Sequence, residues 1–237
     1  MHSPVTANAF GSPTLRAILE KHPFVRLDSF KEGPRNEVDF ARQGRTRKLV
    51  QGNPDIDGAY GLAELMDNNP LVCVDQASCP GAAATLAAIA VAPLAKAGML
   101  IERPAFVFSF ETSGDEIDRI LALEGWSHGA AVASRPAEIE GCVIATSLSS
   151  ITMPAGPQDI IDLYDECFGR SFFVRRHEGD DWGPHIVRGT PNARFQLHLS
   201  EGVLRVDVIA DPNGKCGASQ VVHMLNVMAC FEEDLGL

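Results

Sequence analysis

The side chains able to do chemistry are spread along this chain rather than gathered into one motif. Cys79 stands just before Pro80-Gly81 and the alanine-rich run Ala82–Ala95. That places it near a helix start, where free N–H groups and the helix dipole favour a negative charge. It reads either as a nucleophile or as a small buried thiol. Arg135, in ASRPAEI, stays protonated and cannot be a general base, but its fork can clamp a carboxylate or phosphate. The alternative is a solvated surface arginine, and Glu138 three residues on is open to the same two readings. His177 and His198 are candidate bases because imidazole titrates near neutrality. His177, after SFFVRR, is taken with Cys79, Arg135 and Glu138 as the catalytic set. Lys215, in DPNGKCGASQ, precedes a helix whose first amides can help hold an anion. With Arg188, Gln220 and the helix start at Ala82 and Ala83, it forms the expected substrate-binding set.

These groups must be positioned by elements that the patterning suggests. Gly81–Ala97, Asp115–Leu123, Gln158–Cys167 and Gly217–Phe231 read as helices. Leu71–Val74, Ala105–Glu111, Cys142–Ile151 and Phe172–Arg176 read as strands. Phe195–Ser200 and Leu204–Ala210 read as a hairpin about Glu201-Gly202. Phe30–Asp57 reads as polar and irregular, with a basic patch at Arg42–Lys48. Strands with interspersed helices define an α+β layer, a mixed sheet with helices on one face.

The bulk numbers narrow the partners. The 237 residues carry a net charge of −11, which argues against nucleic acid or an anionic membrane. Six cysteines without CxxC or Cys/His spacing argue against a metal site and for reduced thiols in a cytoplasm. The apolar run Ala82–Ala95 is too short to span a bilayer.

Several segments resemble the N-acetyl-γ-glutamyl-phosphate reductases. They are AYGLAEL (Ala59–Leu65), CPGAAATLAAIAVAPL, SFFVRR, VRGT and the carboxyl-terminal block from Asp211 to Leu237. The resemblance implies a nucleotide-binding lobe followed by an α+β catalytic and dimerisation domain. It also exposes losses. The position of the family's nucleophilic cysteine falls on Ala82, that of its general-base histidine on Arg135, and those of its dinucleotide glycines on Thr6, Ala9 and Ser12. About thirty residues stand where the family has about a hundred, too few for a full doubly wound sheet at roughly thirty residues per βαβ unit. Residues 1–58 are therefore expected to be a remnant lobe, with Thr6–Leu27 a lid, and 59–237 the catalytic-type domain. The implied function is a repurposed, non-redox enzyme of lyase, cyclase or isomerase type. It would act on a small acidic, amino-acid-like substrate without a nicotinamide cofactor or metal, as a homodimer or higher oligomer. The alternatives are a non-catalytic partner subunit, or a reductase that uses Cys79.

Overall fold

The apolar periodicities sort into two sheets. The computed structural model describes residues 3–66 and 68–237, excepting the side chains of 68 and 69. β1 (Val5–Gly11), α1 (Pro13–Lys21), β2 (Val25–Glu32), β3 (Glu37–Arg42) and β4 (Arg45–Gln51) come first. β5 (Ala59–Tyr60), a 3-10 turn at Ala63–Leu65, α2 (Asn68–Cys73) and β6 (Gln76–Cys79) follow. Their six strands make a mixed sheet in the order β2-β1-β3-β4-β6-β5. β1 pairs parallel to β2 and antiparallel to β3.

The second half runs α3 (Ala82–Lys96), β7 (Ala105–Phe108), α4 (Asp115–Leu123), β8 (Ala131–Ser134), β9 (Val143–Ser150) and α5 (Pro157–Phe168). It closes with β10 (Val174–Arg176), a 3-10 turn at Pro184–Ile186, β11 (Ala193–Ser200), β12 (Val203–Ala210) and α6 (Ala218–Met228). This sheet is ordered β10-β11-β12-β9-β7-β8. The molecule is thus α+β, with two mixed sheets.

Local chemistry accounts for the elements. Ser12 caps α1, its Oγ accepting the Leu15 N–H at 3.2 Å, and Pro13 opens the helix with its φ already set. Leu15 and Leu19, four residues apart, are the face that α1 buries. Two two-residue hairpins have both turn residues at positive φ: Gln43-Gly44 (51° and 76°) and Glu201-Gly202 (48° and 81°). Such turns match the right-handed twist of the strands they join. α3 is apolar on every side because it is enclosed on every side. It packs against β9, β12, α4 and α5, and the buried Tyr164 hydroxyl donates to its Ala90 carbonyl. The opposite face of the second sheet leaves Val107, Leu148 and Val203 exposed. The pairings Val107↔Thr146, Leu148↔Arg205 and Val203↔Ser150 put all three on one side.

Several expectations are corrected. Phe30–Asp57 is not irregular: it holds the end of β2 and all of β3 and β4. The sequence there carries many charges, but Val38, Phe40, Leu49 and Val50 alternate or pair inward and are buried. Thr6–Leu27 is not a lid but β1, α1 and the start of β2, with Val5, Ala7, Leu15 and Leu19 in the core. Thr6 and Ala9, placed at a glycine turn, lie within β1, so no phosphate-cradling turn forms there. Leu71–Val74 is helical at its start, and the strand follows at Gln76–Cys79. The first sheet also draws β5, β6 and its covering helix α6 from beyond residue 58. All eleven residues of α6 are buried.

Candidate functional site

The segment around Cys79 is closed. The Cys79 side chain is fully buried at the end of β6, and burial pushes its thiol up to about 12. A thiol so held is almost wholly protonated at neutral pH. Ala82 opens α3, yet the anion-favouring start of that helix is already filled from within. Glu116, in the first turn of α4, accepts the Gly81 N–H at 2.8 Å and the Tyr60 hydroxyl at 3.0 Å through the same oxygen. Burial, and then the charge of Glu116, raises the Tyr60 phenol far above its ordinary range. Gln220 completes this region: its Nε2 donates to the Pro80 carbonyl at 2.9 Å, and Thr85 Oγ1 donates to its Oε1 at 3.1 Å. Cys79, Ala82, Ala83 and Gln220 therefore gather around Pro80, but inside the protein.

Four other expected residues lie apart, and three of them, Arg135, His177 and Arg188, are held by near neighbours. Arg135 is exposed after β8 and donates to the Ser134 carbonyl at 3.1 Å. Glu138 is exposed on the following loop. His177 Nε2 meets Asp181 Oδ1 at 3.0 Å. Arg188 pairs with the Glu140 carboxylate at 3.1 Å and donates to its carbonyl at 3.0 Å.

Lys215 is different. It is 1% exposed, and its ammonium donates to Glu64 Oε1 at 2.5 Å and to His223 Nδ1 at 3.4 Å. An ammonium only donates, so the imidazole accepts at Nδ1 and carries its proton on Nε2. That Nε2–H donates to Glu233 Oε2 at 3.0 Å. The Phe173 ring flanks the pair, 5.6 Å from Lys215 Nζ and 4.6 Å from the imidazole. Burial pushes Glu64 up, but the charge and hydrogen bond of Lys215 hold the carboxyl below its usual range. Glu233 is held low chiefly by the hydrogen bond from His223. The row Glu64–Lys215–His223–Glu233 thus keeps both carboxylates ionised at neutral pH.

One atom in this row is unsatisfied. Glu64 Oε2 is buried and has no hydrogen-bond partner among the described residues. Glu64 lines two clefts, one of about 130 Å³ with Arg170, Ser171 and Glu233, and one of about 380 Å³ with Lys96 and Glu166; Met66 and Cys167 border both. A third cavity, of about 350 Å³, lies between α1 and the Gly189–Pro191 loop. There Asp211 already accepts the N–H groups of Gly189, Asn213 and Gly214 at 2.7–3.1 Å. An open charged acceptor therefore marks the Glu64 clefts and not the third cavity.

Sequence reasoning singled out Lys215 as an anion-binding group, which the structure shows already paired with Glu64, and passed over Glu64, His223, Glu233 and Glu116. Glu64 stands inside AYGLAEL. The signal for His223 was the polar series Ser219, His223 and Asn226, at helical spacing in an otherwise apolar helix. Such a series in a fully buried helix requires partners.

The two-sheet α+β fold is accompanied by a distant relationship to reductases of amino-acid biosynthesis. The chain is similar to N-acetyl-gamma-glutamyl-phosphate reductase of Bacillus amyloliquefaciens, 25% identical over 244 residues, covering 87% of this chain and 68% of the relative. The enzyme of the same name from Bacillus cereus (strain 03BB102) is 23% identical over 252 residues, covering 92% and 68%. No family model matches the chain. Among the described residues no helix is long and apolar enough to cross a membrane.

Proposed function

We propose that this chain is a non-redox enzyme of lyase, cyclase or isomerase type. It acts on a small acidic, amino-acid-like substrate and needs neither a nicotinamide cofactor nor a cysteine nucleophile. The observation that carries this reading is the row Glu64–Lys215–His223–Glu233, whose two carboxylates line clefts at the protein surface. Glu233 is the proton acceptor. It faces the smaller cleft as a carboxylate, and His223 fixes its orientation. Lys215 and Glu64 set the charge behind it, in a site where water is scarce and electrostatic effects are strong. The buried Cys79 thiol and the self-occupied start of α3 count against thioester chemistry.

The test is proton exchange. Acidic amino acids and their N-acyl derivatives are incubated with the protein in D2O and followed by proton NMR. Loss of a carbon-bound hydrogen signal, at least 100-fold slower in Glu233→Gln, is the expected result. No exchange or conversion of any member by the native protein overturns the reading.

The exposed Val107, Leu148 and Val203 on one sheet face support a homodimer. Light scattering checks this: Leu148→Arg shifts a dimer to monomer.

A further inference from the structure

We propose that the cleft beside Glu64 is a binding site for a primary ammonium group, so that the ligand is a zwitterion whose carboxylate meets Arg170. The inference deepens the functional reading above and rests on it for the reaction, though not for the binding.

The argument starts from hydrogen-bond accounting. A buried carboxylate oxygen without a donor loses its hydration and gains nothing in return. Glu64 Oε1 takes the Lys215 ammonium and lies 3.4 Å from the Ser171 hydroxyl, while Oε2 has nothing. Ser171 cannot be turned to fill the gap. Its oxygen accepts the backbone N–H groups of Phe173 at 3.0 Å and Val174 at 2.9 Å, which fixes it at the start of β10. No donor among the described residues fills the gap, which leaves it to a donor from outside.

Charge selects what kind of donor. Glu64 and Glu233 bring two carboxylates to this cleft, and the one buried ammonium among the described residues, Lys215, pairs with Glu64. A group that donates several hydrogen bonds and carries one positive charge satisfies Glu64 Oε2 and Glu233 together. A primary ammonium has three such hydrogens. Arg170, exposed in the lining of the same cleft, offers a paired fork to a carboxylate. At about 130 Å³ the cleft holds on the order of four waters at ~30 Å³ each. That suits the amino and carboxylate ends of one small molecule, with the 380 Å³ cleft available to its side chain.

Access sets a further condition. Glu64 Oε2 is shielded from solvent, so an entering ammonium must displace a rim side chain. Met66 borders both clefts, and its three rotatable bonds let it turn aside at low cost. Met66 is the gate, and its methyl group is the reporter.

The experiment titrates native protein with 4-aminobutyrate, L-glutamate, methylammonium and glutarate, by calorimetry and by NMR of methyl-labelled methionine. The Met66 resonance is identified by its loss in Met66→Leu. The expected result is binding of the amine-bearing probes with a shift of the Met66 methyl, and at least tenfold weaker binding of glutarate, which lacks an amine. Glu233→Gln weakens the amine probes at least tenfold. Arg170→Ala weakens 4-aminobutyrate but not methylammonium. Circular dichroism establishes that both variants fold, and the Met66 shift in native protein stands without them. Glutarate binding as well as glutamate, or an unmoved Met66 methyl at saturating amine, overturns the site. Amine binding at Met66 without exchange in D2O sinks the reaction and leaves the site. Exchange without a Met66 shift does the reverse.

Discussion

Two of the carboxylates drawn toward the interior, Glu116 and Glu64, end differently. At the start of α3, Glu116 takes the Gly81 N–H and the Tyr60 hydroxyl, and the site is complete. Beside Lys215, Glu64 is paired at one oxygen and open at the other. The first arrangement has turned the part of the fold where the related reductases are expected to do chemistry into structure. The second keeps an unfilled acceptor at a cleft. The contrast teaches that a motif can survive as architecture while reactive potential lies elsewhere.

The sharpest way to break the comparison is Lys215→Met, which leaves Glu64 buried and unpaired. It is expected to cost about 3–5 kcal/mol in urea unfolding. Adding Glu64→Leu in the same chain is expected to restore more than half. Equal losses in the single and double variants would show that Lys215 contributes mainly packing. At the closed site Glu116→Ala is expected to cost about 0.5–2 kcal/mol, the range of a lost helix cap, and Glu116→Gln less because an amide oxygen still accepts from Gly81. If Glu116→Ala exceeds Lys215→Met, the ranking of the two sites is reversed.

Acid should sharpen the difference further. His22 is held below its ordinary range by burial, against the hydrogen bond to Asn226 Oδ1 at 3.0 Å. Its pKa is lower folded than unfolded, so the unfolded chain gains a proton first as pH falls through about 6.5. Stability is therefore constant above that point and declines below it. Glu64 and Glu233 are also depressed, so their contribution is present above the ordinary carboxylate range and is lost as pH falls through it. Urea midpoints from pH 7.5 to 4 should fall in two stages, and His22→Gln should flatten the upper one. The smallest effect is chemical. Iodoacetamide at pH 8 should label the exposed Cys73 and Cys230 and spare Cys79 and Cys216, whose thiols burial pushes up to about 12. Mass spectrometry reads the result.

Much of the second sheet was legible in the sequence. Asp115–Leu123 is helical as its amphipathic pattern requires, and the Glu201-Gly202 turn joins β11 to β12. The first sheet was not. β3 and β4 are short and charged on one face, so EVDFAR and RTRKLVQ read as polar coil until pairing with β1 is known. The site was half legible for a related reason. Lys215 stands in a recognisable loop, but Glu64 and Glu233 reach it from 151 residues before and from ten residues beyond His223. No spacing rule connects positions that only a tertiary fold brings together.

The burial of α6 against the first sheet has a consequence for biogenesis. The strand that begins that sheet ends at Gly11, whereas its covering helix begins at Ala218. At about 5–20 residues per second a ribosome needs roughly 10–40 s to make the chain between them. Throughout that interval the nascent sheet has α1 but not α6 over its apolar residues. The amino-terminal half must wait, shielded by chaperones or unstructured, for the last helix to emerge.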